Sequence, residues 1–324
     1  MKKRRIIITS VLSVVILLFT TVMIYYFGAG YKDFSSISKK EFKIPGLDTT
    51  FVPQGMTYLE TTNDFLVAGY MSSGEASRVY LIDGESGDTE KYITLKNDGD
   101  VYVGHAGGIT DYGDNIYVVG DKEVLRFSLT NLYSAENGDE VAIIDSFETG
   151  NGCDFVLTYG ANLIVGEFYK KDKYETPELH HIQTSNGLNY AMAYVYNLKA
   201  DNEYGLESLE VQSAISMPNQ VQGMTFTKED KIILSTSYSI PNSKLLVYDN
   251  VLRSEAEKSI SINNREVPLY VLESSNLEKT LVAPSMSEEL ELVDDRVYVL
   301  FESNCKKYRL FNRTRLSNVY SLDI

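Results

Sequence analysis

The hydrophobic pattern divides the chain into two unlike parts. From Ile6 to Phe27 run 22 predominantly apolar positions, and no charged residue follows until Lys32. At 1.5 Å per residue this stretch spans roughly 33 Å, enough for the hydrocarbon core of a bilayer. It is longer than the apolar region of about 7–15 residues in a cleavable signal peptide, although Gly28-Ala29-Gly30 resembles a cleavage site. The expected element is an uncleaved signal-anchor helix over 6–27, after a basic tail over 1–5 and before a polar stem over 28–39. Beyond residue 40 the pattern changes to short β-branched and aromatic runs separated by turn clusters, with no long amphipathic helical period.

Those runs repeat. Gln54-Gly55-Met56-Thr57-Tyr58 recurs as Gln222-Gly223-Met224-Thr225-Phe226, and Gly107-Gly108-Ile109-Thr110 is a third copy. Cys153-Asp154-Phe155 and Glu288-Glu289-Leu290 occupy the same phase more loosely. Each copy is followed by a turn, such as Thr62-Asn63-Asp64 or Lys228-Glu229-Asp230, and then by a second apolar run. A third run comes next, clearest in the match of Ser77–Asp83 to Ser243–Asp249, and a fourth leads into the next unit. The unit is therefore four short strands, recurring about every 59 residues. A period of that size built from four strands predicts the blades of a β-propeller.

The fold class expected is all-β: a propeller of four-stranded antiparallel blades over 40–324, preceded by one transmembrane helix. Five units can be counted, with room for a sixth in the longer third or fourth. Phe42-Lys43-Ile44 sits where a fourth strand should, yet nothing before it supplies the rest of a blade. Residues 40–45 are accordingly expected to complete the C-terminal blade and close the ring, which removes open sheet edges.

Charge orients the chain. Lys2, Lys3, Arg4 and Arg5 precede the apolar run, and the positive-inside rule keeps them in the cytoplasm and sends the C-terminal part out of the cell membrane. Tyr25 and Tyr26 suit the outer interfacial belt. Without those four cations, 26 Lys and Arg face 45 Asp and Glu, about −19. That balance argues against nucleic acid and anionic lipid as partners, and accommodates cations or a basic protein. Cys153 and Cys305 are the only cysteines; an oxidising compartment permits them to pair, but two distant cysteines make no framework.

Over residues 40–324 the repeats resemble, in general form, bacterial extracytoplasmic propellers with quinoprotein-like or strictosidine-synthase-like blades. The resemblance rests on the strand pattern and the Gln-Gly-Met copies. The chain has no tryptophan, so the Trp-Asp blade signature is absent. The paraoxonase and gluconolactonase groups share this architecture, commonly with calcium at the central mouth. Their local motifs are not matched here, and their ligands are not carried over.

In such a fold the first strand of each blade lines the central channel, and the segments feeding those strands crowd one mouth. Gln54 and Gln222 occupy the same place in their units and are expected to contact a ligand. Asp154, Glu288 and Glu289 could add oxygen ligands for calcium, with His105, in Gly104-His105-Ala106-Gly107-Gly108, orienting a water or acting as a base. The bland alternative is amides bonded to backbone and carboxylates in water. Tyr70 and Tyr238 close equivalent second strands and can stack on a ligand at the rim or pack between blades; Glu302 and Ser303 end the matching strand of the last unit. The insertion Tyr169–Tyr190 reads as a lid or partner surface, with His180 and His181 in a solvent-facing loop. No Gly-x-Ser-x-Gly elbow, His-Glu-x-x-His, phosphate loop or EF-hand is present.

Three functions fit these observations. The first is a membrane-tethered module that binds a small molecule or a protein at the propeller mouth. The second is a divalent-cation-dependent hydrolase or lactonase with its site there. The third is a structural subunit that uses the rim.

Overall fold

The computed structural model describes the backbone of residues 2–27 and 30–324, and side chains for 10–22 and 30–324. Residues Lys2–Phe27 form helix α1. The basic tail's side chains, those of Tyr25 and Tyr26, and Gly28-Ala29 lie outside the described residues. Among the described residues no helix is long and apolar enough to cross a membrane; of the apolar run, only residues 10–22 have described side chains, a shorter stretch than a bilayer requires.

The rest of the chain is mostly β and propeller-like. Four antiparallel meanders follow one another. Sheet I comprises Phe51–Leu59, Asp64–Met71, Arg78–Asp83 and Thr89–Asn97. Sheet II comprises Ile109–Tyr112, Asn115–Val119, Glu123–Ser128 and Glu140–Glu148. Sheet III comprises Phe155–Tyr159, Asn162–Gly166, Ala191–Asn197 and Ser213–Met217. Sheet IV comprises Val221–Phe226, Ile232–Thr236, Ser243–Tyr248 and Leu277–Ala283. Sheet V takes Ser287–Val293, Arg296–Phe301 and Asn318–Leu322 from the C-terminus and its outer strand, Ser38–Lys43, from the N-terminal side. That strand pairs with the last one, Ser38 opposite Leu322 and Lys43 opposite Asn318, as the closure argument expected, starting two residues earlier.

The first strands of successive sheets are neighbours around a ring, I to II to III to IV to V and back to I. The core lies between sheets rather than inside any one. One cluster joins Phe65, Val67 and Ile82 of sheet I to Leu290, Val299 and Phe301 of sheet V. Others join sheets I and II, II and III, and III and IV. Burying one such side chain fully contributes about 1.5–3 kcal/mol.

The extra length of the third and fourth units does not form another meander. In sheet III it is the 169–190 insertion, which contains the small hairpin Ile182–Thr184 and Gly187–Asn189. In sheet IV it is a hairpin, Lys258–Ile262 with Arg265–Val271, whose second strand pairs in parallel with the outer strand of sheet III. It covers an edge that would otherwise offer unpaired backbone groups. The sequence pattern did not distinguish this hairpin from a connection.

Within the polar stem, Lys32–Ile37 forms helix α2, and Phe34 is buried with its ring edge-on to Phe301 at 6.0 Å. One expectation is corrected. His180 is not solvent-facing but 2% exposed. Its Nδ1 lies 2.8 Å from Glu167 Oε1 and its Nε2 2.9 Å from Tyr194 Oη. Two buried polar partners contributed by sheet III draw it inward, which local sequence cannot show. Cys153 and Cys305 are both buried free thiols.

The glycine of the repeated motif has a single mechanical role. A Cβ on Gly55 would lie 2.3 Å from Gly107 O and 2.7 Å from Ile109 N, in sheet II. On Gly108 it would lie 2.5 Å from Val156 N in sheet III, and on Gly223 2.7 Å from Glu289 Cα in sheet V. Each glycine thus lets its inner strand touch the backbone of the next one around the axis. Gly55→Ala is expected to cost about 3 kcal/mol, read as a Tm lower by several degrees. A loss below about 1 kcal/mol would show that the strands separate freely.

Candidate functional site

The same motif also aims side chains. Register breaks fall between Pro53 and Gly55, between Val221 and Gly223, and between Ser287 and Leu290. Gln54, Gln222 and the pair Glu288-Glu289 are the bulged residues, freed from the ladder at the start of their inner strands. A bulge re-aims the side chain it carries.

The bulges at Gln54 and Gln222, with neighbouring loops, border a cavity of ≈ 600 Å³ at the end of the axis. It brings together Gln54, Tyr70, His105, Asp154, Gln222 and Tyr238, six of the residues expected at the mouth, and adds Glu302. Glu288 and Glu289 are buried and do not line it.

The floor is a four-residue network. Gln54 donates both N–H bonds, to Pro53 O at 2.8 Å and Glu302 Oε2 at 3.1 Å. Gln222 donates to Glu288 Oε1 at 3.3 Å. The Glu288 and Glu302 carboxyls interact directly. Burial raises both, Glu302 to about 7; the Glu302 carboxyl raises Glu288 further, while hydrogen bonding to Glu288, the Lys307 charge and the Gln54 amide draw Glu302 back down. The two titrate as a coupled pair. Asp154 accepts from Phe168 N at 2.7 Å, and burial with the nearby Glu167 charge raises it to about 7. With their N–H groups turned toward carboxylates, the glutamines leave their amide oxygens as acceptors. The floor is therefore rich in acceptors.

Glu289 lies deeper in the axis, wedged between Gly108 and Gly223. Neither of its carboxylate oxygens makes a hydrogen bond of good geometry, and burial, with Glu291, raises it far above the usual range. Further along are Glu291, raised by burial to about 8, and Asp111, raised by burial to about 6. Of the three acids named for calcium, Asp154 lines the cavity and Glu288 and Glu289 do not. Among the described residues no group of three or more His, Cys, Asp or Glu is placed to hold a metal ion. The bulge in sheet V separates its two glutamates, one toward Gln222 and one into the axis.

The walls are aromatic and the rim is cationic. Tyr70 Oη accepts from Lys307 Nζ at 2.6 Å, and its ring lies 5.0 Å from that of His105. Lys307 also sits 4.9 Å from the Tyr308 ring. Across the mouth Tyr238 Oη accepts from Lys173 Nζ at 3.1 Å, with Lys170 5.2 Å over its ring. His105 is lowered by burial and by Lys307, against the opposing pull of Asp121; its imidazole is neutral at pH 7. Lys173, Tyr174 and Lys307 were not expected at the site. They come from the 169–190 insertion and the 302–317 connection, whose paths the strand pattern does not encode. His181 packs on Tyr190 with ring centroids 4.8 Å apart and takes no part.

No family model matches the chain, and no curated protein matches it. Among solved structures it is similar to the PQQ-bound aldose sugar dehydrogenase of Streptomyces coelicolor, at 11% identity over 89% of this chain and 97% of that one, TM-score 0.47. It is also similar to a putative oxidoreductase (glucose dehydrogenase) of Thermus thermophilus, at 13% identity over 88% and 99%, TM-score 0.44. The Pan2 WD40 domain of Neurospora crassa matches at 9% identity over 83% and 62%, TM-score 0.35. Likenesses this distant assign neither substrate nor cofactor to this chain.

Two outcomes are expected. Glu302, Asp154, Glu291 and Asp111 have folded pKa values above the unfolded carboxyl range of about 4. Their contribution is full at about pH 4 and is lost as pH rises through about 6–8, at up to about 1.4 kcal/mol per pH unit for each titrating group. Urea unfolding should show falling stability across that window, and Glu302→Gln should flatten the slope; a rise with pH would contradict the burial. Removing the buried imidazole with His180→Ala should cost about 1–3 kcal/mol by leaving Glu167 short of a partner. Amide exchange in 170–178 should speed up; unchanged exchange would mean that His180 does not pin the insertion.

Proposed function

We propose that this chain is a membrane-tethered, extracytoplasmic five-bladed propeller that binds a small, donor-rich ligand at its central mouth. The single observation that carries the binding reading is the acceptor-rich floor of Gln54, Gln222, Glu302 and Asp154 at the base of an aromatic-walled cavity. Such a floor complements N–H and O–H donors, and suits a protonated amine best, because an ammonium carries three donors and a charge opposite to Glu302. Tyr70, Tyr238 and Phe168 supply faces for the ligand's apolar surface.

The five-bladed reading is supported by the meanders of sheets I to V and their order around the axis. The anchor is supported by the 6–27 apolar run and by Val11, Leu12 and Val14 to Phe19, each more than half exposed along α1. The cations before the run support an inside N-terminus. The hydrolase reading has no comparable support, since the carboxyls proposed for a metal are apart. His105 is assigned to the wall that orients the ligand rather than to chemistry.

Glucosamine and glucose, which differ by an amine in place of a hydroxyl, test the reading on the full-length chain in nanodiscs by ligand-observed NMR. Glucosamine should bind more tightly than glucose, and Glu302→Gln should weaken it about tenfold, the loss of one charge-assisted hydrogen bond. Equal binding of both sugars, or no effect of Glu302→Gln, would remove the amine assignment.

A further inference from the structure

We propose that residues 304–317 form a membrane-contacting surface, with Leu310 and Phe311 seated among the headgroups of the bilayer that holds the anchor and the neighbouring cations on anionic lipid. The inference rests on the anchor reading above.

Charge comes first. The outer part of the chain carries about −19, yet no Asp or Glu occurs between Ser303 and Leu322, and the stretch holds Lys306, Lys307, Arg309, Arg313 and Arg315. Lys306, Arg309 and Arg315 are exposed, and none of the ion pairs among the described residues uses them. The net charge that argued against anionic lipid is an average over the whole surface. Charges further away than about 8–10 Å are largely screened at physiological salt, so the local patch decides.

Apolar exposure comes second. Leu310 is 76% and Phe311 67% exposed, more than any other large hydrophobic residue described outside α1. An exposed aliphatic–aromatic pair flanked by cations is suited to an interface with an apolar interior and a charged surface.

Position comes third. Tyr31 Oη and Thr314 Oγ1 share a hydrogen bond at 3.0 Å, and α2 is fixed to sheet V by Phe34 and by Arg296 Nη2 donating to Ile37 O at 3.1 Å. Tyr31 comes four positions after Phe27, a reach of at most about 14 Å however the chain runs between them. The segment is therefore held close to the point where the chain leaves α1. Lys307 and Tyr308 of the same segment line the cavity. Membrane contact there places the mouth beside the bilayer, open to ligands presented at its surface.

The chain has no tryptophan, so a single introduced one reports its own surroundings. Three full-length variants are compared in phosphatidylcholine vesicles containing phosphatidylglycerol and bromine-labelled acyl chains. They are Phe311→Trp, Phe19→Trp in the anchor, and Glu60→Trp in the exposed turn at the end of sheet I away from Gln54 and Tyr70. At an interfacial depth of about 5–10 Å, Phe311→Trp should lose roughly half its emission. The loss should shrink when phosphatidylglycerol is omitted or when Lys306, Arg309 and Arg315 are all changed to Gln, and Glu60→Trp should not be quenched. If Phe19→Trp is quenched and Phe311→Trp is not, the anchor stands and this inference falls, including the case where Phe311→Trp is blue-shifted against a second copy of the chain. If neither is quenched, the anchor reading and this inference fall together.

Discussion

The structure depends on how closely the inner strands approach one another at the axis. Gly55, Gly108 and Gly223 each set backbone against backbone where a methyl group would overlap. A ring closed this tightly leaves a narrow centre, and what projects there is surrounded by protein. The motif is thus better understood as a packing device with a polar residue attached than as a binding signature. Its glycine closes the ring, and the bulge that precedes it in sheets I and IV turns a glutamine toward the mouth.

The consequence is an axis lined with carboxyls that resist ionisation. Glu288 and Glu302 sit under the glutamines, Glu289 lies between two glycines, and Glu291 and Asp111 lie beyond. A fold chosen for stability alone would place apolar groups there, because a buried charge without a partner is costly. The arrangement makes sense if the upper carboxyls are used by something that enters from the mouth and brings a positive charge or hydrogen-bond donors. At the rim, Lys307 and Lys173 each hydrogen-bond to the hydroxyl of a wall tyrosine, Tyr70 and Tyr238.

Much of this was legible in the chain. The four-strand unit, its phase, closure by the N-terminal strand, and the convergence of Gln54, Gln222, His105, Asp154, Tyr70 and Tyr238 all follow from repeated local patterns, and local patterns survive in sequence. Asn63 and Asp230, at φ 59 and 63, show why the turn clusters were informative. What the pattern does not carry depends on long-range partners. His180 is buried because Glu167 and Tyr194 wait for it; Lys307 reaches Tyr70 across 237 positions of sequence. Likewise, the separation of Glu288 from Glu289 depends on a bulge that residue types alone do not announce. Acids adjacent in sequence there point to different neighbours in space.

The central claim is that the fold holds carboxyls at its axis protonated, or sharing protons, at neutral pH. Carbon-13 NMR of glutamate side-chain carboxyls in the full-length chain tests it most directly, with Glu302→Gln to assign the signal. The account predicts at least one glutamate titrating near pH 7, absent from Glu302→Gln, and others still protonated there. If every glutamate titrates in the ordinary range around pH 4, the axis is hydrated and open, and its floor is not a preformed site.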